Sequence, residues 1–231
     1  MNAPARNALG QPVGAPLPGW KAPPRPQRVN LEGRYCRVEP LAPERHGESL
    51  WQANSLDAEG RNWTYLGSEP FVNRDDYIAW LGDMARLEDP LYFAICDTDG
   101  DAIGVATLMR ITPDAGSIEV GNINFSPRLQ RQRAATEAMY LMMRYAFDLG
   151  YRRYEWKCDS LNAPSRAAAE RLGFQYEGLF RQALVYKNRS RDTAWYSIID
   201  GDWPARRDAF EAWLAPENFD ADGRQRKALV R

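Results

Sequence analysis

A chain of 231 residues that is 44% hydrophobic, 12% aromatic and 26% charged has the length and composition of one globular domain with a short appendage, which excludes a disordered, collagen-like or disulfide-stapled chain. Its 30 basic and 31 acidic residues give a net charge of −1, so no overall charge draws the molecule to nucleic acid or to an anionic membrane. No apolar run approaches the ~18 residues of a spanning helix, and no basic start followed by an apolar stretch marks a secretory signal, so a cytoplasmic protein is expected.

Seven of the 16 prolines (Pro4, Pro12, Pro16, Pro18, Pro23, Pro24 and Pro26) fall in residues 1–28. That stretch is predicted to be an extended arm, touching the surface through Trp20. Residues 29–200 are expected to form the folded domain, and 201–231 a C-terminal helix followed by a solvated polar tail. In the domain, Gly33 to Leu41 reads as a strand, and Glu44 to Ala53 and Arg74 to Leu87 as helices. Two apolar runs, Leu91 to Cys96 and Ala102 to Arg110, flank the turn residues Asp97-Thr-Asp-Gly-Asp101 and so predict a hairpin, with Ser117 to Phe125 completing a meander. Ala135, Ala138, Met139, Met142, Ala146 and Leu149 recur at three- and four-residue steps before Gly150, which predicts an amphipathic helix over 134–149. A strand from Arg153 to Cys158 comes next, then a short helix opened by Asn162-Ala-Pro-Ser165 with Asn162 as its cap, ending at Leu172-Gly173. Phe180 to Lys187 and Thr193 to Ile199 read as a closing antiparallel pair, and Pro204 to Leu214 as a last helix. The sum is an α+β (mixed α/β) fold, a mostly antiparallel central sheet carrying helices on its faces.

Three widely spaced cysteines, Cys36, Cys96 and Cys158, read as reduced core residues, with an acylation or redox role as the alternative. The single histidine, His46, lies in a polar run with no partner at ligand spacing, so it reads as a solvated or capping residue and no metal site is expected. The G-x-S-x-G, G-x-x-x-x-G-K-[ST] and G-x-G-x-x-G patterns are all missing, which removes the main support for serine hydrolase, P-loop and dinucleotide-binding readings. The junction Ser126 to Ala138 carries Arg128, Arg131 and Arg133 where a strand passes into the long helix. Helix N-termini present unpaired N–H groups and partial positive charge, so this junction reads either as a phosphate site or as an exposed basic turn.

Gln130-x-x-Arg133-x-Ala135-Thr-Glu-Ala138, with Glu119-Val-Gly121 before it and Asn162-x-x-Ser165, Arg171-Leu-Gly-Phe174-x-x-Glu-Gly178 and Arg191-Asp-x-x-x-Tyr196 after it, resembles the GNAT superfamily of N-acetyltransferases. Within it the run is most similar to the branch of the ribosomal-protein acetyltransferases RimJ and RimL. The resemblance spans about Val29 to Ile199, and its most specific part is the run from Asn162 to Gly178 together with Arg191 to Tyr196.

The resemblance implies a GNAT-like fold whose splayed central strands hold acetyl-CoA as cosubstrate, without a metal. It implies that Gln130, Arg131, Gln132, Arg133, Ala134 and Ala135 hold the pyrophosphate through backbone N–H groups. Ile123, Asn124 and Phe125 would pair with the pantetheine, and Asn162 and Ser165 would line the thioester end. Glu119 has the position of the strand glutamate that serves as base in some relatives, with a structural glutamate as the alternative, and Ser165 is the candidate proton donor to the departing thiolate. Three departures stand out. Arg133 replaces a customary glycine, Leu184 falls where RimL-like members carry a carboxylate, and Ala169 falls where other branches carry a tyrosine acid.

The acceptor, a protein N-terminus or a small-molecule amine, is expected against Trp63, Tyr65 and Phe71, aromatic residues that either cage an amine or belong to the core. Arg181, Arg189, Arg191 and Asp192 are expected near its border. Two other functions stay in view: a CoA-binding module without chemistry, and an RNA-binding protein, which the net charge disfavours. The C-terminal strands and the region after Asp200 offer surfaces for a homodimer.

Overall fold

An eight-stranded sheet runs through the molecule in a computed structural model that describes residues 5–229. In chain order the elements are β1 (Ala5–Arg6), β2 (Pro12–Val13), β3 (Leu31–Glu32), β4 (Arg37–Pro40), α1 (Pro43–Ser55), α2 (Arg74–Ala85), β5 (Leu91–Cys96), β6 (Ala102–Thr112) and β7 (Ser117–Phe125). After them come α3 (Arg133–Asp148), β8 (Arg153–Asp159), α4 (Ala163–Arg171), β9 (Gln175–Tyr186), β10 (Arg189–Ile199) and α5 (Trp203–Leu214). The strand order is β3-β4-β5-β6-β7-β8-β10-β9, and β7–β8 is the one parallel pairing in it.

Alternation along the strands sorts the side chains between two faces. Val38, Phe93, Ile95, Ile118, Val120, Tyr154 and Trp156 meet α3 and α5 in the larger core. On the other face Tyr92, Ala94 and Val105 meet α1 and α2 through Leu50, Tyr77 and Leu81. Helices therefore cover both faces, as expected, but α1 and α2 reach only the β4–β6 half of theirs. The uncovered half, over β7, β8 and β10, is where the polar residues collect.

Local chemistry explains the element ends. Asn162 caps α4, its Oδ1 accepting from Ser165 N–H at 3.1 Å. Gly150 stops α3 at φ +97°, a conformation that costs a residue without Cβ little. β7 and β8 pair only through Ser117–Val120 against Arg153–Trp156, and both strands run on past that point. A bulge with Asn122 at φ +46° bends β7 there, so the two strands diverge.

Three regions differ from the sequence expectation. The final pair is longer than expected, because Lys187 and Asn188 both take positive φ and close a two-residue turn, which brings 189–192 into β10. The arm carries the small β1–β2 hairpin and is tied down by buried Pro23 and Pro26 as well as by Trp20, whose ring lies against Gly116, with Gln27 N–H donating to the Tyr145 hydroxyl at 2.7 Å. The tail is exposed over residues 221–228, as expected, but it also folds back: Phe219 is buried against Tyr35 and Trp213, and Trp213 Nε1 donates to Gln225 Oε1 at 2.8 Å.

Of the two roles expected for His46, the solvated one fails and the capping one holds, since it binds the N–H of Ala42, the residue that precedes α1. His46 is buried in α1, its Nδ1 accepting from Ala42 N–H at 3.1 Å and its Nε2 lying 3.3 Å from Glu39 Oε2. All three cysteines are free and buried, and burial pushes their thiols upward, which makes them poor nucleophiles.

Candidate active site

Beyond Val120 the freed edges of β7 and β8 bound a cleft of about 420 Å³. Glu119 reaches into it from β7, nearly inaccessible to water. Arg110, swung inward by a bulge in β6 at φ +45°, donates from one Nη1 to both Glu119 oxygens at 2.7 and 2.8 Å. Lys157 on β8 places Nζ 2.9 Å from Glu119 Oε2 and 2.7 Å from Glu155 Oε2, with the Trp195 ring 3.8 Å beneath it. Arg153 binds Glu155 in turn and forks onto Glu177, whose Oε1 also accepts from Ser197 Oγ at 2.7 Å. The result is a ladder of alternating charge across β6, β7, β8 and β9.

Burial alone would raise Glu155, but hydrogen bonds from Lys157 and Arg153 outweigh it and hold the carboxyl below its ordinary range. Glu177 is lowered mainly by its hydrogen bond from Arg153. At the outer end of β8, Asp159 accepts from the Tyr186 hydroxyl at 2.8 Å and from Leu161 N–H at 2.9 Å. Burial and that bond to Asp159 push the Tyr186 phenol up to about 12, so it serves as a donor.

Ser165 lines the opposite wall, where its Oγ accepts from Trp156 Nε1 at 3.0 Å and its hydroxyl neighbours the Cys158 thiol. Asn162 lines the same wall and holds Ser165 through the α4 cap. Ile123, Asn124 and Phe125 lie on the part of β7 that β8 leaves unpaired. Asn124 is buried with no hydrogen-bond partner for Oδ1 among the described residues. The Phe125 carbonyl is already taken by Asn62 Nδ2 at 3.1 Å and Gln130 Nε2 at 2.8 Å, so the Gln130 side chain serves the loop itself.

Arg131 turns the loop at φ +61°, and Gln132 precedes α3 without a side-chain cap. The leading N–H groups at Arg133 and Ala134 thus have no intrahelical acceptor and no capping side chain, while Ala135 N–H returns to Gln132 O at 3.1 Å. Arg133 lines a hollow at the start of α3 together with Gln132 and Ala134. Its guanidinium stacks 4.2 Å over Tyr35 and 5.4 Å from the Phe219 ring.

Of the three aromatic residues expected at the acceptor side, only Tyr65 lines the cleft, its hydroxyl donating to Leu161 O at 3.1 Å. Trp63 belongs to the core and half-buried Phe71 packs against it, the two rings edge-to-face with one another and with Tyr77, and Phe71 tilted on Trp80. Leu184 lines the cleft, and Ala169 is the buried residue of α4. Asp192 is structural, its carboxylate accepting from Gln182 N–H at 2.7 Å.

Arg110, Lys157, Asp159, Tyr186 and Trp195 were not singled out from the sequence. A signal for the two β8 residues, Lys157 and Asp159, was there: Arg153-Tyr-Glu155-Trp-Lys157-Cys-Asp159 alternates charge with apolar residues and marks a strand with one charged face. Glu39, His46 and Cys96 bring three donor atoms within 4.8 Å of one another. Glu39 is already bound by Arg37 and Arg45, and His46 Nδ1 is bound to Ala42, so this cluster does not suit a cation.

A model of the GNAT acetyltransferase domain matches residues 38–175. The chain is 49% identical to a GCN5-related N-acetyltransferase from Brucella melitensis, over 92% of this chain and 97% of that one, with a TM-score of 0.90. It is 40% identical to a probable acetyltransferase of the GNAT family from Chromobacterium violaceum, over 84% of this chain and 98% of that one, at a TM-score of 0.78. At 21% identity it shares the fold of the microcin C7 self-immunity acetyltransferase MccE, solved with acetyl-CoA and AMP, over 72% of this chain and 93% of that one at a TM-score of 0.63. No curated protein matches the sequence.

Proposed function

The chain belongs to the GNAT family of acetyltransferases, and from that premise we propose that it transfers an acetyl group from acetyl-CoA to a primary amine, on a protein N-terminus or a small molecule. The observation that carries this reading is the parting of β7 from β8 beside an uncapped α3. A strand edge without a partner, the unpartnered Asn124 Oδ1 and the leading N–H groups of α3 are the features that an extended amide-bearing arm ending in phosphates would satisfy. Arg133, folded onto Tyr35, leaves that path open.

When bound, acetyl-CoA supplies an activated thioester that the amine attacks directly. On this reading Ile123, Asn124 and Phe125 align the arm and residues 130–135 hold the phosphates. Ser165 donates a proton to the departing thiolate, a group that leaves readily because its pKa lies near ~8.5. Glu119 is the carboxylate that receives the amine's proton, directly or through water. The placement beside RimJ and RimL rests on the run from Asn162 to Gly178, and a cytoplasmic location on three unpaired cysteines.

One observation favours a second reading. Both Glu119 oxygens are held by Arg110 and Lys157, and Leu184 offers no replacement, as in a CoA-binding module without chemistry. Calorimetry with acetyl-CoA, followed by thiol release over a panel of amines and N-terminal peptides, separates the two. The transferase reading expects binding and acetylated product; binding without product supports the module, and no binding refutes both.

A further inference from the structure

The cations of the cleft are unequally matched. Arg110, Lys157 and Arg191 line it, and the first two are both spent on Glu119. Arg191 makes one hydrogen bond, from Nε to Thr193 Oγ1 at 3.1 Å, and its guanidinium lies 5.7 Å from the Tyr186 ring. Among the described residues no carboxylate comes within ion-pair distance of it. Asp159, the other carboxylate of the wall, is occupied by Tyr186 and Leu161. Arg191 is thus half-buried and tethered through Nε, and among the described residues its two terminal nitrogens have no hydrogen-bond acceptor.

A guanidinium withdrawn from water and short of acceptors is matched by a carboxylate or phosphate, whose paired oxygens fit its fork. Which bound molecule supplies the anion follows from the face. Trp195 pairs with Lys157 across β8 and β10, so the side chains of Thr193 and Arg191 stand with Lys157 and Glu119, on the face opposite α3. The loop expected to hold the phosphates of acetyl-CoA opens α3 and belongs to the other face. The anion on Arg191 is accordingly carried by the acceptor.

We propose that Arg191 is a specificity residue that binds a carboxylate or phosphate carried by the acceptor amine, so that the acceptor is an amine with an anion a few bonds away. This rests on the transferase reading above. The anion has two possible sources, a small amino acid or phosphoamine, or the acidic side chain of a peptide N-terminus. The apolar wall of Tyr65, Leu184 and the stacked Phe180–Trp195 pair accommodates the rest of the acceptor.

The test uses matched amines that differ in the anion alone: L-methionine with L-methioninamide, O-phosphoethanolamine with ethanolamine, and the dipeptide amides Ala-Asp and Ala-Asn. Acetyl transfer is followed by thiol release, and binding to the protein–CoA complex by calorimetry, for the parent chain, Arg191→Gln and Arg191→Lys. In at least one pair the anionic member is expected to bind and react about tenfold better or more. Arg191→Gln should remove that preference through a 10- to 100-fold rise in KM, a range expected for a lost charge-assisted contact. The neutral member and the KM for acetyl-CoA should stay unchanged, and Arg191→Lys should restore part of the preference. Equal treatment of every pair, no binding of any anionic probe, or a rise in the acetyl-CoA KM in Arg191→Gln overturns the proposal. Anion-dependent binding that needs Arg191, without turnover, upholds it while refuting the transferase reading.

Discussion

Glu137 offers a perturbation whose size follows from counted contacts. It lies in the second turn of α3 and is almost fully buried. Its Oε1 accepts from Arg34 N–H at 2.8 Å, and its Oε2 from Tyr35 and Cys36 N–H at 2.6 and 2.9 Å. One carboxylate therefore closes the turn between β3 and β4 and fastens it to α3. Gly33 lies so close that a Cβ there would come 2.5 Å from Oε2 and 2.7 Å from the Cys36 carbonyl. Each buried donor left without an acceptor costs about 1–3 kcal/mol. Glu137→Ala strands three of them, and with water refilling part of the gap the loss should be about 3–6 kcal/mol. Glu137→Gln keeps one acceptor oxygen and turns an NH2 group toward the remaining donors, for about 2–3 kcal/mol. In a chain of this size each kcal/mol moves Tm by roughly 2–4 °C. Melting followed by circular dichroism at pH 7 should thus fall by about 4–12 °C for Gln and further for Ala. A shift below about 1 °C in Glu137→Ala would refute the reasoning, since three donors cannot be left unpaired at so small a cost.

Three further outcomes are expected. Glu119→Gln should lower kcat by about 10²–10⁴ and remove the fall in rate on the acid side of the pH profile, with acetyl-CoA affinity unchanged; an unaltered profile excludes Glu119 as base. Arg133→Gly should bind acetyl-CoA within about threefold of the parent by calorimetry while losing about 1–2 kcal/mol of stability to urea, because the side chain stacks on Tyr35 rather than contacting the loop. Burial holds His46 below its ordinary 6.5, with the Glu39 hydrogen bond and charge only partly opposing. The unfolded chain takes up a proton near 6.5 that the folded chain refuses, so stability should fall as pH drops through 6.5 and level off below the lowered folded value. Urea titrations from pH 8 to 5 should show that slope flattened in His46→Gln.

The elements legible in the sequence are those whose signals are local. The α3 periodicity from Ala135 to Ala146, the Asn162 cap and the Asp97–Asp101 turn all act within a few residues, and each lies where it was expected. The closing antiparallel pair is present as expected, but its turn was not legible because Lys187-Asn188 lacks the usual glycine, so its positive φ values follow only once the strands on either side are seen to pair. Trp63 and Phe71 were placed at the acceptor wall by residue type, whereas their packing against Tyr77 and Trp80 is settled by α2, distant in the chain.

The charged strand shows most clearly where local reading ends. Arg153, Glu155, Lys157 and Asp159 alternate with Tyr154, Trp156 and Cys158, which announces a strand with one polar face. Whether that face meets water or other charges depends on β7 and β9 supplying Glu119 and Glu177 at matching register, and register between distant strands is not written in either one. The same dependence governs Arg110. Its role arises from a bulge that exists only because β6 and β7 fall out of register between Met109 and Thr112. Once those cations are assigned to Glu119, the charge left over at the mouth of the cleft is Arg191's, and it follows from pairing rather than from residue counts. A chain with a net charge of −1 can for this reason still present a cleft in which three cations, Arg110, Lys157 and Arg191, meet two carboxylates, Glu119 and Asp159.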